Sequence, residues 1–237
     1  MILLLAGTTE ARRLAEGLAA AGVPVRASLA GATKGPRPLP VPIRVGGFGG
    51  AAGFCAFLRD AGIHAVLDAT HPFATRIGPR SAALCAEAGL PYLRVLRPAW
   101  APGPDDDWHE VAIPGDVARI IPAGATVFLA TGRQGLADFA GLAGRRVIAR
   151  VIDPPTGPPP IPGAELVVGM PGDVDAEEAL LRRLRVDWIV TKNSGGPASG
   201  KLQAARRLRL PVAMLRRPPA PGNVATVPEA LDWVAGL

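Results

Sequence analysis

Apolar residues in this chain fall in short unbroken runs that alternate with stretches where they return every three or four positions. The runs have the length of buried strands and the spaced stretches have the period of helices packed by one face, so the pattern predicts an α/β protein with parallel sheets. The first run, over 2–5, stops at Ala6-Gly7-Thr8-Thr9, and the helix after it carries Ala11, Leu14, Ala15, Leu18 and Ala19 on one face and closes at Gly22. Further strands are expected over 23–28, 42–45, 64–70 and 92–96, with helices over 52–61 and 76–88. Residues 98–107 read Pro-Ala-Trp-Ala-Pro-Gly-Pro-Asp-Asp-Asp, which neither a helix nor a central strand accommodates, so a boundary is placed there. Beyond it the pattern predicts strands over 126–130, 146–151, 188–191 and 212–215, helices over 136–143, 176–184 and 202–208, and a Pro-rich loop over 153–162.

An internal echo divides the chain in two. Leu90-Pro91-Tyr92-Leu93-Arg94-Val95-Leu96-Arg97-Pro98 resembles Leu210-Pro211-Val212-Ala213-Met214-Leu215-Arg216-Arg217-Pro218, each after a strand, a polar loop and a helix. The expectation is a first domain over 1–97 and a second over 98–237, two Rossmann-like doubly wound parallel sheets facing a central cleft. In such sheets ligands bind beyond the carboxyl ends of the strands.

The candidate chemistry lies at those ends. Gly7-Thr8-Thr9-Glu10 opens a helix whose first N–H groups have no intrahelical partner and sit at the positive end of the macrodipole, a place where phosphate docks. The full G-x-G-x-x-G spacing is missing, so a plain strand-to-helix turn stays open as a reading. The second strand weighs on that choice. No acidic residue occurs between Glu16 and Asp60, where an NAD site places its ribose-binding carboxylate, whereas Arg26, Lys34, Arg37 and Arg44 do occur; this favours the 2'-phosphate of NADP. Gly46-Gly47-Phe48-Gly49-Gly50 then reads as a ligand-facing loop or as a loose surface loop.

His71, in Asp68-Ala69-Thr70-His71-Pro72-Phe73, is a candidate proton donor or, equally open, a turn residue. The chain has only three lysines, and Lys192 and Lys201 flank one Gly-rich loop, Asn193-Ser194-Gly195-Gly196. A lysine can release a proton at neutral pH where an arginine cannot, so these two hint at acid chemistry or anion binding, against chance placement on a solvated loop.

Composition narrows the partners. At 237 residues and 49% hydrophobic the chain can bury a sizeable core, and no apolar run has the length to span a bilayer. The first run lacks a basic leader, which leads us to expect a cytoplasmic protein away from membranes. Cys55 and Cys85 form neither a metal-like cluster nor a disulfide framework. The net charge of +6 is scattered and aromatic residues are only 5%, so a nucleic-acid partner is not expected; a small polycarboxylate suits the charge better. Oligomeric state stays open, a monomer included.

Five motifs in one order carry a family resemblance: Ala-Gly-Thr-Thr-Glu-Ala-Arg at 6–12, Ser-Leu-Ala-Gly at 28–31, Arg-Val-Gly-Gly-Phe-Gly-Gly at 44–50, Asp-Ala-Thr-His-Pro-Phe-Ala at 68–74 and Lys-Asn-Ser-Gly-Gly at 192–196. With them the chain resembles the precorrin-6A reductases of cobalamin biosynthesis, departing at Ala6, where glycine is expected. The resemblance implies an NADPH-dependent reductase that saturates one double bond at the direct junction between two pyrrole-derived rings of a macrocycle rich in acetate and propionate arms. Together these readings place cofactor contacts at Gly7, Thr8, Thr9, Glu10 and Ser28, and at Lys34, Arg44, Gly46, Gly47 and Thr70. Substrate contacts fall at Phe73, Lys192, Asn193, Ser194 and Gly195. Lys201 is the first choice as proton donor, His71 the second and a water the third, with no metal. The competing reading is a non-enzymatic NADPH sensor on the same fold, which would have no use for an acid at Lys201.

Overall fold

The computed structural model describes residues 1–31, 38–153, 157–220 and 224–237. Lys34 and Arg37 lie outside the described residues, as does part of the Pro-rich loop. In chain order the elements are β1 (Ile2–Leu5), α1 (Thr9–Ala20), β2 (Val25–Leu29), β3 (Ile43–Val45), α2 (Gly50–Asp60), β4 (Ala65–Asp68), α3 (Ile77–Glu87) and β5 (Tyr92–Val95). There follow β6 (Trp108–Val111), α4 (Val117–Ile120), β7 (Thr126–Ala130), β8 (Arg146–Val151), β9 (Glu165–Val168), α5 (Val174–Leu184), β10 (Trp188–Lys192), α6 (Gly200–Leu208), β11 (Val212–Leu215), β12 (Val224–Ala225) and α7 (Val227–Ala235).

They build two compact units, Met1–Arg97 with Pro218–Leu237, and Pro98–Arg217. The first holds a sheet ordered β12-β5-β4-β1-β2-β3 and the second a sheet ordered β6-β11-β10-β7-β8-β9, with every strand pair parallel. Both are α/β sheets of the doubly wound kind, turning back on themselves at β1/β4 and β7/β10. In each, the strand outside β5 or β11 comes from beyond a chain crossing: β6 follows β5 but joins the second sheet, and β12 follows β11 but joins the first.

That exchange corrects the expected second domain of 98–237. Residues 218–237 return to the first unit, where Val224 of β12 pairs with Arg94 and α7 buries Ala230 and Val234 in the cluster that holds Leu14 and Leu18 of α1. Leu231 of α7 fills the notch left by Gly17, where a Cβ would lie 2.8 Å from its Cδ1.

Strand side chains alternate between the faces of the first sheet. Ile2 and Leu4 join the cluster under α1 and α7, while Leu3 and Leu5 join Phe54 and Leu58 of α2 and Cys85 of α3. Each fully buried side chain of this size is worth about 1.5–3 kcal/mol, so covering both faces is what holds β1 at the centre. In the second unit Phe128, Ile148 and Ile189 pack with Leu181 of α5 and Leu202 of α6. The helix expected over 136–143 is a 3-10 segment, Leu136–Leu142, interrupted at Phe139 (φ −104°, ψ 15°). Glycines 135 and 144, both at positive φ, bound the segment at its two ends.

Candidate functional site

The strand register lines up Arg44, Ser28, Leu5, Asp68 and Arg94 in one row across the carboxyl ends of β3, β2, β1, β4 and β5. Three of the loops that leave from this row are each fixed by a named side chain.

The β1–α1 turn is fixed by Thr8, the N-cap of α1. Its Oγ1 accepts the Ala11 N–H at 3.2 Å and donates to the Ala69 carbonyl at 2.7 Å, tying this turn to the segment after β4. A Cβ on Gly7 would enter the gap between the two, with His71 N as its nearest neighbour at 4.0 Å. Thr9 is exposed. Glu10 lies in the first turn of α1, where its charge would repel an anion, but Arg97 pairs with it at 2.9 Å.

Arg44 fixes the loop after β3. It donates to Ser28 Oγ at 2.8 Å, to the Gly46 carbonyl at 3.0 Å and to the Gly47 carbonyl at 2.9 Å, and its guanidinium lies 4.0 Å from the centre of the Phe48 ring. Gly46 turns the chain there at φ 115°, a conformation only glycine takes without strain. The end of β2 thus presents a hydroxyl and a guanidinium and no carboxylate.

The segment after β4 is fixed by groups the sequence reading did not single out. Arg94, 2% exposed, forms an ion pair with the fully buried Asp68 and donates to Thr70 Oγ1 at 2.7 Å and to the His71 carbonyl at 3.2 Å. Asp68 also accepts the Thr70 N–H at 2.9 Å and the Tyr92 hydroxyl at 2.7 Å. Burial, and then the neighbouring Asp68 carboxylate, push the Tyr92 hydroxyl far above the usual phenol range. His71 Nδ1 accepts the Phe73 N–H at 3.2 Å, which puts the proton of the neutral imidazole on Nε2. The Phe73 ring lies 5.9 Å from that of His71. The available signal for Arg94 is a charge inside an apolar strand run, which must find a buried partner.

Lys192, Asn193, Ser194, Gly195 and Lys201 cluster at the carboxyl end of β10 in the second unit. Asn193 grips the backbone of Trp100, accepting its N–H at 2.8 Å and donating to its carbonyl at 2.9 Å. Arg217 donates to the Asn193 carbonyl and the Ser194 carbonyl, both at 2.8 Å. Gly195, at φ 64°, passes so close to the Pro98 carbonyl that a Cβ would stand 2.0 Å from its oxygen. Lys201 is buried; its Nζ donates to the Ala198 carbonyl at 2.8 Å and lies 4.8 Å from the Trp100 ring centre. Burial lowers the Lys192 pKa, with Asp138 acting the other way. Much of this loop therefore holds the 98–100 segment in place.

A separate cavity of about 390 Å³ lies between β9 and α5, walled by Val167, Met170 and Leu180. The Arg150 guanidinium at its base is taken by Glu177 at 2.8 Å. Among the described residues, none of those chosen from the sequence lines it.

Comparisons with known proteins agree along the whole length. The precorrin-6A reductase of Rhodococcus erythropolis is 44% identical over 243 residues, covering 100% of this chain and 98% of the relative. The cobalt-precorrin-6A reductase of Priestia megaterium is 28% identical, covering 92% and 91%. A solved structure described as CobK precorrin-6A reductase superposes with a TM-score of 0.92 at 40% identity, covering 99% of this chain and 96% of that one. The family described as precorrin-6x reductase CbiJ/CobK matches residues 1–235, and the chain belongs to it.

Proposed function

We propose that this chain reduces precorrin-6A in cobalamin biosynthesis, with NADPH bound along the carboxyl edge of the first unit's sheet. The observation that carries the reaction is the full-length likeness to precorrin-6A reductases. The preference for NADPH rests on the end of β2, where Arg44 and Ser28 occupy the place at which an NAD site carries its carboxylate. The donor set fits a dinucleotide with a pyrophosphate and a 2'-phosphate: helix N–H groups at α1 for the first, a guanidinium beside Ser28 for the second. When bound, the cofactor supplies the hydride.

Residues of the chain supply position and a proton. Thr8 works through the turn it ties to Ala69, whereas Arg44 holds the loop after β3 and also brings its charge to the 2'-phosphate. Glu10, paired with Arg97, leaves the start of α1 acceptable to phosphate. We assign the proton to His71, donating from Nε2 as the imidazolium and returning to the neutral ring, ahead of Lys201, whose ammonium is engaged by Ala198 and Trp100. Phe73, whose ring lies 5.9 Å from that of His71, offers an apolar face to the macrocycle. The higher identity to precorrin-6A reductases than to the cobalt-named relative favours the metal-free substrate.

The test is anaerobic mixing of protein, NADPH and precorrin-6A. Loss of reduced-nicotinamide absorbance should depend on precorrin-6A and be slower with NADH or the cobalt form. Absence of precorrin-dependent oxidation contradicts the reading.

A further inference from the structure

We infer that Arg94 is a positioning residue for the reduction, setting the segment Ala69 to Phe73 through a buried network that includes Asp68 and Tyr92. The inference rests on the cofactor reading above and deepens it.

A buried ion pair is an expensive way to fill space. Two charges taken out of water recover their solvation only with good geometry, and apolar side chains of the same volume often do as well for stability. Here the pair occupies the outermost residue of β4 and the facing position of β5, at the row from which the loops leave. Its donors do not stop at Asp68. One terminal nitrogen of Arg94 reaches Thr70 Oγ1 at 2.7 Å, and the other reaches the His71 carbonyl at 3.2 Å, with a longer contact of 3.5 Å to the Thr70 carbonyl. From the opposite side Thr8 Oγ1 holds the Ala69 carbonyl at 2.7 Å. Three consecutive carbonyls, 69 to 71, are thereby taken by side chains from β5 and from the start of α1.

The network is also crowded. A Cβ on Gly78 of α3 would lie 3.0 Å from Asp68 Oδ2 and 3.1 Å from an Arg94 nitrogen, so α3 seals the pair against the sheet. Tyr92, the single tyrosine of the chain, donates to the same Oδ2 and orients the carboxylate. A lysine at 94 would keep the charge but lose the planar fork that serves several acceptors at once. His71 and Phe73 would then shift by a fraction of an ångström, while the adenosine end of the site, held by Arg44 and Ser28 across the sheet, would not.

The experiment separates these ends. Arg94→Lys and the milder Tyr92→Phe are compared with wild type in three ways: calorimetric affinity for adenosine 2',5'-bisphosphate and for NADP, kcat for precorrin-6A reduction, and amide hydrogen exchange of peptides spanning 69–74. For Arg94→Lys we expect unchanged affinity for the bisphosphate within about twofold, a kcat lowered about a hundredfold, and exchange at 69–74 at least about tenfold faster with β1 peptides unaltered. Tyr92→Phe should show the same pattern with kcat lowered about fivefold, and it decides the matter if the lysine variant does not fold. Unchanged kcat and unchanged exchange in a folded variant overturn the inference, as does bisphosphate affinity falling in step with kcat. If wild type binds neither nucleotide, the cofactor reading fails instead, and the exchange measurement still decides whether Arg94 sets this segment.

Discussion

Individual side chains at the strand ends do different work from what their types suggest. Lysine 201 and Asn193 read as reactive or ligand-touching groups, yet each is engaged by the backbone or ring of the 98–100 segment. Asn193→Ala strands a backbone N–H and a carbonyl, so unfolding in urea should reveal a loss of about 1–3 kcal/mol, with NADP affinity unchanged. A stability equal to wild type would mean that the grip on Trp100 is ornamental. Cys85 supplies a second test. Burial pushes its thiol from 9.0 up to about 11, while Cys55 is half-exposed, so iodoacetamide at pH 8 should label Cys55 alone in the native protein. On a rise in pH the unfolded chain sheds the Cys85 proton first, so this group costs the fold stability between about pH 9 and 11 and nothing below. Labelling of both thiols at equal rates would contradict the burial. At this scale the sequence marks which polar residues stand at strand ends but not which groups hold them. Spacing places His71 and Lys192 at strand ends, but partners 24 residues away, such as Arg94 for Thr70, depend on register that no local pattern contains.

Elements connect those side chains to the core. Threonine 8 is both the cap of α1 and the link to Ala69, so Thr8→Ala should lower stability by about 1 kcal/mol in thermal unfolding and also weaken NADP binding. A variant with lower stability but native affinity would show the link to be structural only. Most of the central strands and long helices were legible because β1, β4, β7 and β10 each contain a buried apolar run, and α1 keeps a period of 3.6. What escaped was the periphery. β12 is two residues long, β6 carries Trp108-His109-Glu110-Val111 without an apolar run, and β9 follows a Pro-rich loop; edge strands packed on one side need little hydrophobic signal. Helix α7 was lost with them, although Ala230 and Val234 complete the core over α1. A chain ending at residue 217 should therefore leave that face of α1 bare. It should recover largely insoluble or lose its cooperative transition in calorimetry, whereas a soluble, cooperatively folded truncation would contradict the shared core.

Across the whole molecule, the same sheet order occurs twice and the two units trade their outermost strands, so the echo between 90–98 and 210–218 marks the two crossings of the chain. In the first unit the end of β2 carries Ser28 bonded to the Arg44 guanidinium. A cofactor site of this kind makes its own prediction about ligand choice. Each charge-assisted contact to the 2'-phosphate is worth about 1.5–3 kcal/mol, which corresponds to about 10- to 150-fold in affinity. The central claim, that the carboxyl edge of the first sheet holds NADP through Arg44 and its neighbours, is tested most directly by calorimetric titration of the purified chain with NADP and with NAD. The account predicts binding of NADP at least about tenfold tighter than NAD. Heat from neither dinucleotide, or equal affinity for both, would contradict it.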